Sequence, residues 1–194
     1  NRYFLYNLFT KFTSEAEAQG TELCFFMLDV DNFKHVNDSY SHLRGDMVIK
    51  EVALILRECV RSNDIVIRYA GDEFVILSRI ANEAEIRHIC NRISERINKN
   101  IFKGKAVGDP GLSLTMSGGF AILPRDGKDL EELLDNADKA LYFSKDRGKN
   151  RFSDFKEVSL ETKSYKEVLK ALSFPNFVDR ISQINKLKEI YCDM

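Results

Sequence analysis

Two runs rich in β-branched and aromatic residues, DIVIRYA (64–70) and EFVILSR (73–79), are separated only by Gly71 and Asp72. A two-residue Gly-Asp link between such runs predicts a tight antiparallel hairpin. Any fold for this chain must therefore hold antiparallel pairing, with an aspartate at the hairpin tip.

The rest of the pattern wraps helices around that hairpin. Leu5, Leu8, Phe9 and Phe12 recur at helical spacing, and Gly20 is placed to end that helix. Residues 22–30, ELCFFMLDV, form a nearly continuous apolar run, as a strand buried on both faces requires. A short helix is expected around Phe33–Tyr40. Val48, Val52, Ile55, Leu56 and Cys59 then line one face of a longer helix. After the hairpin, Asn82 and Glu85 resemble an N-cap and its partner ahead of the stripe Ile86, Ile89, Cys90, Ile93 and Ile97. A glycine-containing loop around 104–111 leads to a strand, LSLTMSGGFAIL. Asp129 and Glu132 repeat the capping pattern before a last core helix, carried by Leu130, Leu133, Leu134, Ala137 and Leu141, that runs to Gly148. A short strand near 150–155 completes the sheet. Hairpin pairing mixed with helical crossovers predicts an α+β fold, a central mainly antiparallel sheet flanked by helices.

Residues 1–155 thus read as one domain, and 156–194 as a helical C-terminal extension or linker. That tail has two helical patterns broken at Pro175, with Phe177, Ile181, Ile184, Leu187 and Tyr191 on one face. Because Asn1 begins inside a helical pattern, the chain is expected to be a piece of something longer, with an upstream domain.

Charge and cysteine usage narrow the chemistry. A formal net charge of −1 gives no general attraction to nucleic acid or an anionic membrane, so phosphate binding needs a local site. Cys24, Cys59, Cys90 and Cys192 lie far apart among apolar neighbours, as reduced buried thiols would, and a cytoplasmic setting is expected. His35, His42 and His88 have no zinc spacing. No apolar run approaches the roughly 20 residues of a membrane span.

Asp29 closes the buried strand and Asp72 sits at the hairpin tip. If the hairpin pairs beside that strand, the two carboxylates converge, and they repel unless a cation lies between them. Mg²⁺ suits one or two carboxylates completed by phosphate oxygens and water. Either aspartate alone is an ordinary turn or strand-end residue. Lys34, Lys145 and Lys149 could supply cations to a triphosphate, while the latter two also complement a helix C-terminus.

With those residues in place, RYAGDEFVIL (68–77) resembles the GGDEF family of diguanylate cyclases. DVDNFKHVNDSYSHLRGD (29–46) is similar to that family's Asp-x-Asp-x-Phe-Lys-x-x-Asn-Asp segment with its trailing His and Gly-Asp. ADKALYFSKDRGKNRF (137–152) resembles its C-terminal helix, and Asn1-Arg2 its usual start. The resemblance covers about residues 1–155. It implies a nucleotidyl cyclase-like fold with a ferredoxin-like, palm-like core, and an enzyme that condenses two GTP into cyclic di-GMP with Mg²⁺ or Mn²⁺.

By the same resemblance Asp29, Asp72 and the Val30 carbonyl hold the metal, and Asn37, Asp46 and His42 line the guanine side. Asp46 can accept hydrogen bonds from guanine N1 and N2, a donor pair adenine lacks. Lys34, Lys145 and Lys149 contact phosphates, and Ala70 and Gly71 let the hairpin backbone approach the nucleotide. Asp72 or Glu73 helps activate the 3′-hydroxyl. Arg61-Ser62-Asn63-Asp64 lies where the family binds product dimers, through Arg61 and Asp64. Catalysis implies a homodimer, one GTP per domain, and an upstream sensory or receiver domain promotes it.

The chain departs from the family pattern at three places: Ala70 for the first glycine of the signature, Ser41 for a usual glycine and Lys149 for a usual arginine. A catalytically degenerate module that binds GTP or cyclic di-GMP without turnover is the alternative that Ala70 raises. A purely structural or dimerising domain, with the tail as its interaction element, is the third reading.

Overall fold

In the computed structural model, residues 2–80, 82–104 and 109–162 are described. The chain divides into two compact units, Asn1–Val158 and Ser159–Met194. Residues 155–162 are helical. The remainder of the expected tail, Cys192 included, lies outside the described residues.

The first unit runs α1 (Arg2–Gln19), β1 (Glu22–Val30), α2 (Phe33–Ser39), α3 (His42–Glu58), β2 (Ile65–Ala70), β3 (Glu73–Ile80), α4 (Glu83–Lys99), β4 (Met116–Leu123), α5 (Leu130–Asp146) and β5 (Phe152–Asp154). This is the order the periodicity predicts. The five strands form one sheet in the order β2-β3-β1-β4-β5. β1 pairs antiparallel with β3 and β4, β2 pairs antiparallel with β3, and only β4 with β5 is parallel. The fold is α+β with a mixed, mainly antiparallel sheet.

β1 is the centre because it is apolar on both faces. Alternate side chains of a strand point to opposite faces. Leu23, Phe25 and Met27 join one core with Leu5, Phe9 and Phe12 of α1 and Leu133, Ala137 and Leu141 of α5. Cys24, Phe26, Leu28 and Val30 join the other, under α2, α3 and α4. Phe25 and Phe26, both fully buried, contribute to opposite cores by about 2–3 kcal/mol each. Cys24, Cys59 and Cys90 are buried free thiols. Burial raises all three, Cys90 to about 12, so they are inert in a neutral solution. Among the described residues no helix is long and apolar enough to cross a membrane.

The helix ends follow the predicted chemistry. Asn82 accepts hydrogen bonds from the Ala84 and Glu85 amides, and Asp129 from that of Glu132. The return bond of the second cap differs from a simple capping box, because Glu132 accepts from the Lys128 amide. The strand expected over 112–123 is shorter than its composition suggests. β1 ends at Val30, whose partner on β4 is Met116, so residues 112–115 have no strand beside them. Leu112 instead makes an isolated bridge to Phe102.

This topology gathers functional termini at one end of the sheet: the end of β1, the β2–β3 tip, the start of β4 and the turn after α5. How closely α5 can lie on the sheet depends on Gly119. A methyl group there would fall on the α5 backbone at Ala137, Ala140 and Leu141. Gly119→Ala is therefore expected to cost about 3 kcal/mol by forcing helix and sheet apart. Urea unfolding measures this, and a loss below about 0.5 kcal/mol contradicts the packing described.

Candidate functional site

The two acidic residues read from the sequence fall at one end of the sheet, and Glu73 joins them there. In the β1–β3 register Asp29 lies directly opposite Glu73. Their side chains therefore share the α5 face of the sheet. Asp72 is one residue before, where its carbonyl accepts a long 3.4 Å hydrogen bond from the Val30 amide. Lys145, in the last turn of α5, reaches in and forms an ion pair of 2.8 Å with Asp29. Burial pushes the Asp29 carboxyl above its usual range; Lys145 works against that, while Asp72 and Asp31 add to it. Glu73 is raised too, first by burial and then by Asp29, with Lys145 opposing. This end of the sheet holds more negative charge than one lysine neutralises.

Such a cluster fits a hard divalent cation. Its donors are carboxylate oxygens, with the Val30 carbonyl at the same strand end. Among the described residues no group of three acidic, histidine or cysteine side chains forms a ready-made metal cage. A cation held here needs oxygens from a bound molecule, as Mg²⁺ ordinarily takes from phosphates.

The hairpin tip is built as the sequence requires. Gly71 has φ of 38°, a left-handed conformation glycine adopts freely, and its carbonyl accepts from Arg68 Nε at 2.8 Å. Ala70 is exposed and is not among the residues with positive φ, so its methyl group meets no backbone penalty. The register shifts between Arg68 and Ala70, a bulge that turns the tip.

Asn37, His42 and Asp46 come together at the α2–α3 junction. His42 and Asp46 are exposed in the first turns of α3, and Asn37 is half-buried on α2. A side chain at Gly45 would land on the Asn37 amide oxygen. Gly45 thus sets how near Asn37 lies to Asp46. Ser41 caps α3, accepting from the Arg44 amide at 3.3 Å, which accounts for serine at a position where the family pattern usually has glycine. Lys34 is exposed at the start of α2.

Sequence reading missed the residues that hold this frame. Asp31 is buried and accepts from Thr115 Oγ1 at 2.6 Å, Ser117 Oγ at 2.7 Å and the Asn150 amide at 3.0 Å. Lys149, a residue the sequence itself singles out, follows α5 and donates to Asn32 Oδ1 at 2.7 Å. Arg44 is buried between α3 and the loop after α4, pairing with Asp109 at 3.2 Å and donating to the Phe102 carbonyl at 2.7 Å. Ser144 Oγ donates to the Gly118 carbonyl at 2.6 Å, tying α5 to β4. A polar residue inside an apolar stripe was the only available signal, and Ser144 alone shows it.

Arg61 and Asp64 are not brought to this cluster. They lie before β2, at the other end of the hairpin. Asp64 is buried and accepts from the Arg61 amide at 2.9 Å, closing the turn. The exposed Arg61 guanidinium pairs with Glu85 at 3.1 Å. A separate cavity of about 400 Å³ opens there, lined by Arg61, Ala84, Glu85, His88, Ile89 and Arg92. Arg92, also missed by sequence reading, donates to the Cys59 carbonyl.

Comparison with known proteins bears on family and fold. Residues 1–151 match the family described as diguanylate cyclase, GGDEF domain. The diguanylate cyclase DosC of Escherichia coli K12 is 39% identical over 151 residues, 78% of this chain. The chain spans 32% of that relative's length. The cyclic di-GMP phosphodiesterase NbdA of Pseudomonas aeruginosa is 34% identical over 155 residues, 19% of its length. Among solved structures, the GGDEF domain of YfiN (TpbB) from Pseudomonas aeruginosa superposes with a TM-score of 0.73 at 26% identity, covering 79% of this chain and 94% of that one. The GGDEF domain of DgcB from Caulobacter crescentus, solved in complex with c-di-GMP, gives 0.68 at 28% identity, with coverages of 77% and 87%.

The raised carboxyls make stability depend on pH in a definite sense. In the unfolded chain these groups ionise in their ordinary range, about pH 4. Folded, they ionise at higher pH, so stability is fullest below the ordinary range and falls as pH rises through the folded values. With divalent cations removed, Glu73→Gln is expected to melt higher than the unsubstituted chain at pH 7, with the gap closing toward pH 4. Thermal unfolding followed by circular dichroism checks this; an equal or lower Tm at pH 7 contradicts it.

Proposed function

The chain belongs to the GGDEF domain family of diguanylate cyclases, and from that premise we propose that it condenses two molecules of GTP into cyclic di-GMP, releasing two pyrophosphates. The observation that carries this reading is the meeting of Asp29, Asp72 and Glu73 at one sheet end, opposed by a single paired lysine. Mg²⁺ or Mn²⁺, when bound, would supply charge neutralisation at the triphosphate, with Asp29, Asp72 and the Val30 carbonyl as its protein donors.

Each side chain then has a distinct task. Asn37 and Asp46 orient guanine, with His42 beside them, and the Asp46 carboxylate favours guanine over adenine because only guanine offers adjacent N–H donors. Lys34, Lys145 and Lys149 hold phosphate oxygens. Ala70 and Gly71 leave room for the nucleotide against the hairpin backbone. Asp72 or Glu73 accepts the 3′-hydroxyl proton as that oxygen attacks the α-phosphorus of the second GTP. One P–O bond forms and one α–β anhydride breaks at each of two centres, so the product is symmetric. A symmetric product calls for two such domains facing across a two-fold axis, each holding one GTP. An upstream domain would raise the frequency of that encounter.

Arg61 supports product control. An arginine can make a bidentate contact with guanine O6 and N7, and this one lines a cavity apart from the acidic cluster. Cyclic di-GMP bound there, with Asp64 fixing the turn, would hold two domains apart.

Incubation of the purified chain with GTP and Mg²⁺, with the products separated chromatographically, tests the proposal directly. Asp72→Ala should lower cyclic di-GMP formation by about 100-fold or more with an unchanged circular dichroism spectrum. GTP binding without product in the unsubstituted chain would favour the degenerate receptor instead. Arg61→Ala should raise the product concentration that halves the rate by about tenfold, the loss of one bidentate contact; an unchanged inhibition curve removes Arg61 from control.

A further inference from the structure

The residue that best accounts for the placement of the phosphate lysines is a buried carboxylate just past the end of β1, Asp31. Asp31 is only 3% exposed, and all three of its hydrogen-bond donors come from remote segments. Thr115 immediately precedes β4, Ser117 lies at its start, and the third donor is the Asn150 amide in the turn after α5. The Asp31 amide in turn donates to the Thr115 carbonyl at 3.0 Å.

The turn it grips is bent in an uncommon way. Among the described residues the non-glycine positions with left-handed φ are Asn32 at 58°, Lys149 at 61° and Asn150 at 49°. Left-handed backbone is unfavourable for a lysine, and such residues persist only where surrounding contacts over-determine them. Those contacts form a closed ring. Asp31 accepts from Asn150; Lys149, next in the chain, donates through Nζ to Asn32, which is bonded to Asp31. The ring locks the end of β1 to the residues that follow α5. Lys145 lies four residues back on that helix and is already on Asp29.

We propose that Asp31 is a positioning residue for triphosphate recognition: by holding the Asn150 amide it fixes Lys149 in its left-handed conformation and keeps the end of α5, with Lys145, against the end of β1. This rests on the nucleotide reading above. It separates Asp31 from Asn37 and Asp46, which lie on α2 and α3 and do not pass through the ring. Loss of Asp31 should therefore weaken phosphate contacts and spare guanine contacts.

Isothermal titration of the 194-residue chain with GMP and with α,β-methylene-GTP, both in Mg²⁺, tests the proposal. Asp31→Ala is expected to weaken the triphosphate analogue at least tenfold and GMP less than twofold. Asp31→Asn should restore the triphosphate to within threefold, because the amide oxygen can still accept from Asn150 while its NH₂ donates to the Ser117 hydroxyl. If Asp31→Ala does not fold, Thr115→Val, which removes a donor from the same carboxylate oxygen, should weaken the triphosphate about threefold and leave GMP unchanged. Equal losses for both ligands, or no loss, would overturn the positioning role while leaving the proposed function in place. An unsubstituted chain that binds neither ligand would remove both.

Discussion

The structure turns on a repulsion that the fold enforces. Pairing β1 against β3 in this register sets Asp29 opposite Glu73, with Asp72 next in line. Phe25, Met27, Val75 and Leu77 pack under α1 and α5 in that register, and a one-residue slip would force the side chains of the two cores to exchange faces. The carboxylates cannot move apart without losing that core. Lys145 relieves part of the conflict, and the remaining negative charge is available to a cation. Stability built in the core is thus partly given up at its edge, a common arrangement where a site must bind charge.

The two faces of the sheet divide the labour. α1 and α5 cover the face that carries Asp29 and Glu73, and α5 brings Lys145 to the carboxylates. α2, α3 and α4 cover the other face, and the α2–α3 junction presents Asn37, His42 and Asp46. The residues just past β1 join the two groups, because the chain leaves the sheet there through Asp31 and Asn32 and enters α2. Arg44 with Asp109 secures α3 to the residues around Phe102 and Asp109 in the same spirit, with the Gly104 and Gly111 amides both donating to Asp109.

Local patterns were legible in the sequence and distant ones were not. The bounds of β1, the two-residue hairpin, the Asn82 and Asp129 caps and the stop at Gly20 each depend on neighbours a few residues away, and the structure has each of them. The candidate carboxylates were also readable, because a strand end and a hairpin tip are places where side chains emerge. Asp31 was not. Its partners lie 84, 86 and 119 residues away in the chain. Asp31 stands at the second aspartate of the Asp-x-Asp segment, but nothing in its immediate neighbourhood gives it a role or tells that it is buried. Arg44 hides in the same way, since its partner Asp109 is 65 residues distant and an arginine in a helix reads as solvated surface. The false extension of β4 has the opposite origin: residues 112–115 have strand composition, yet the neighbouring strand has already ended.

The three departures from the family pattern fall where the backbone can absorb them. Glycine is needed where φ is positive or where a methyl group collides. Ala70 meets neither condition, whereas its neighbour Gly71 meets the first. Ser41 has φ of 162°, an extended conformation open to any residue, and its hydroxyl oxygen satisfies an amide at the start of α3 that glycine would leave to water. Lys149 is the costlier change, because it loses the planar fork of arginine while occupying a left-handed conformation. Its ammonium group keeps one directed contact, to Asn32, and the ring through Asp31 maintains the backbone that aims it. The signature can therefore lose its first glycine without losing its turn, while the charge after α5 depends on a buried carboxylate outside the signature.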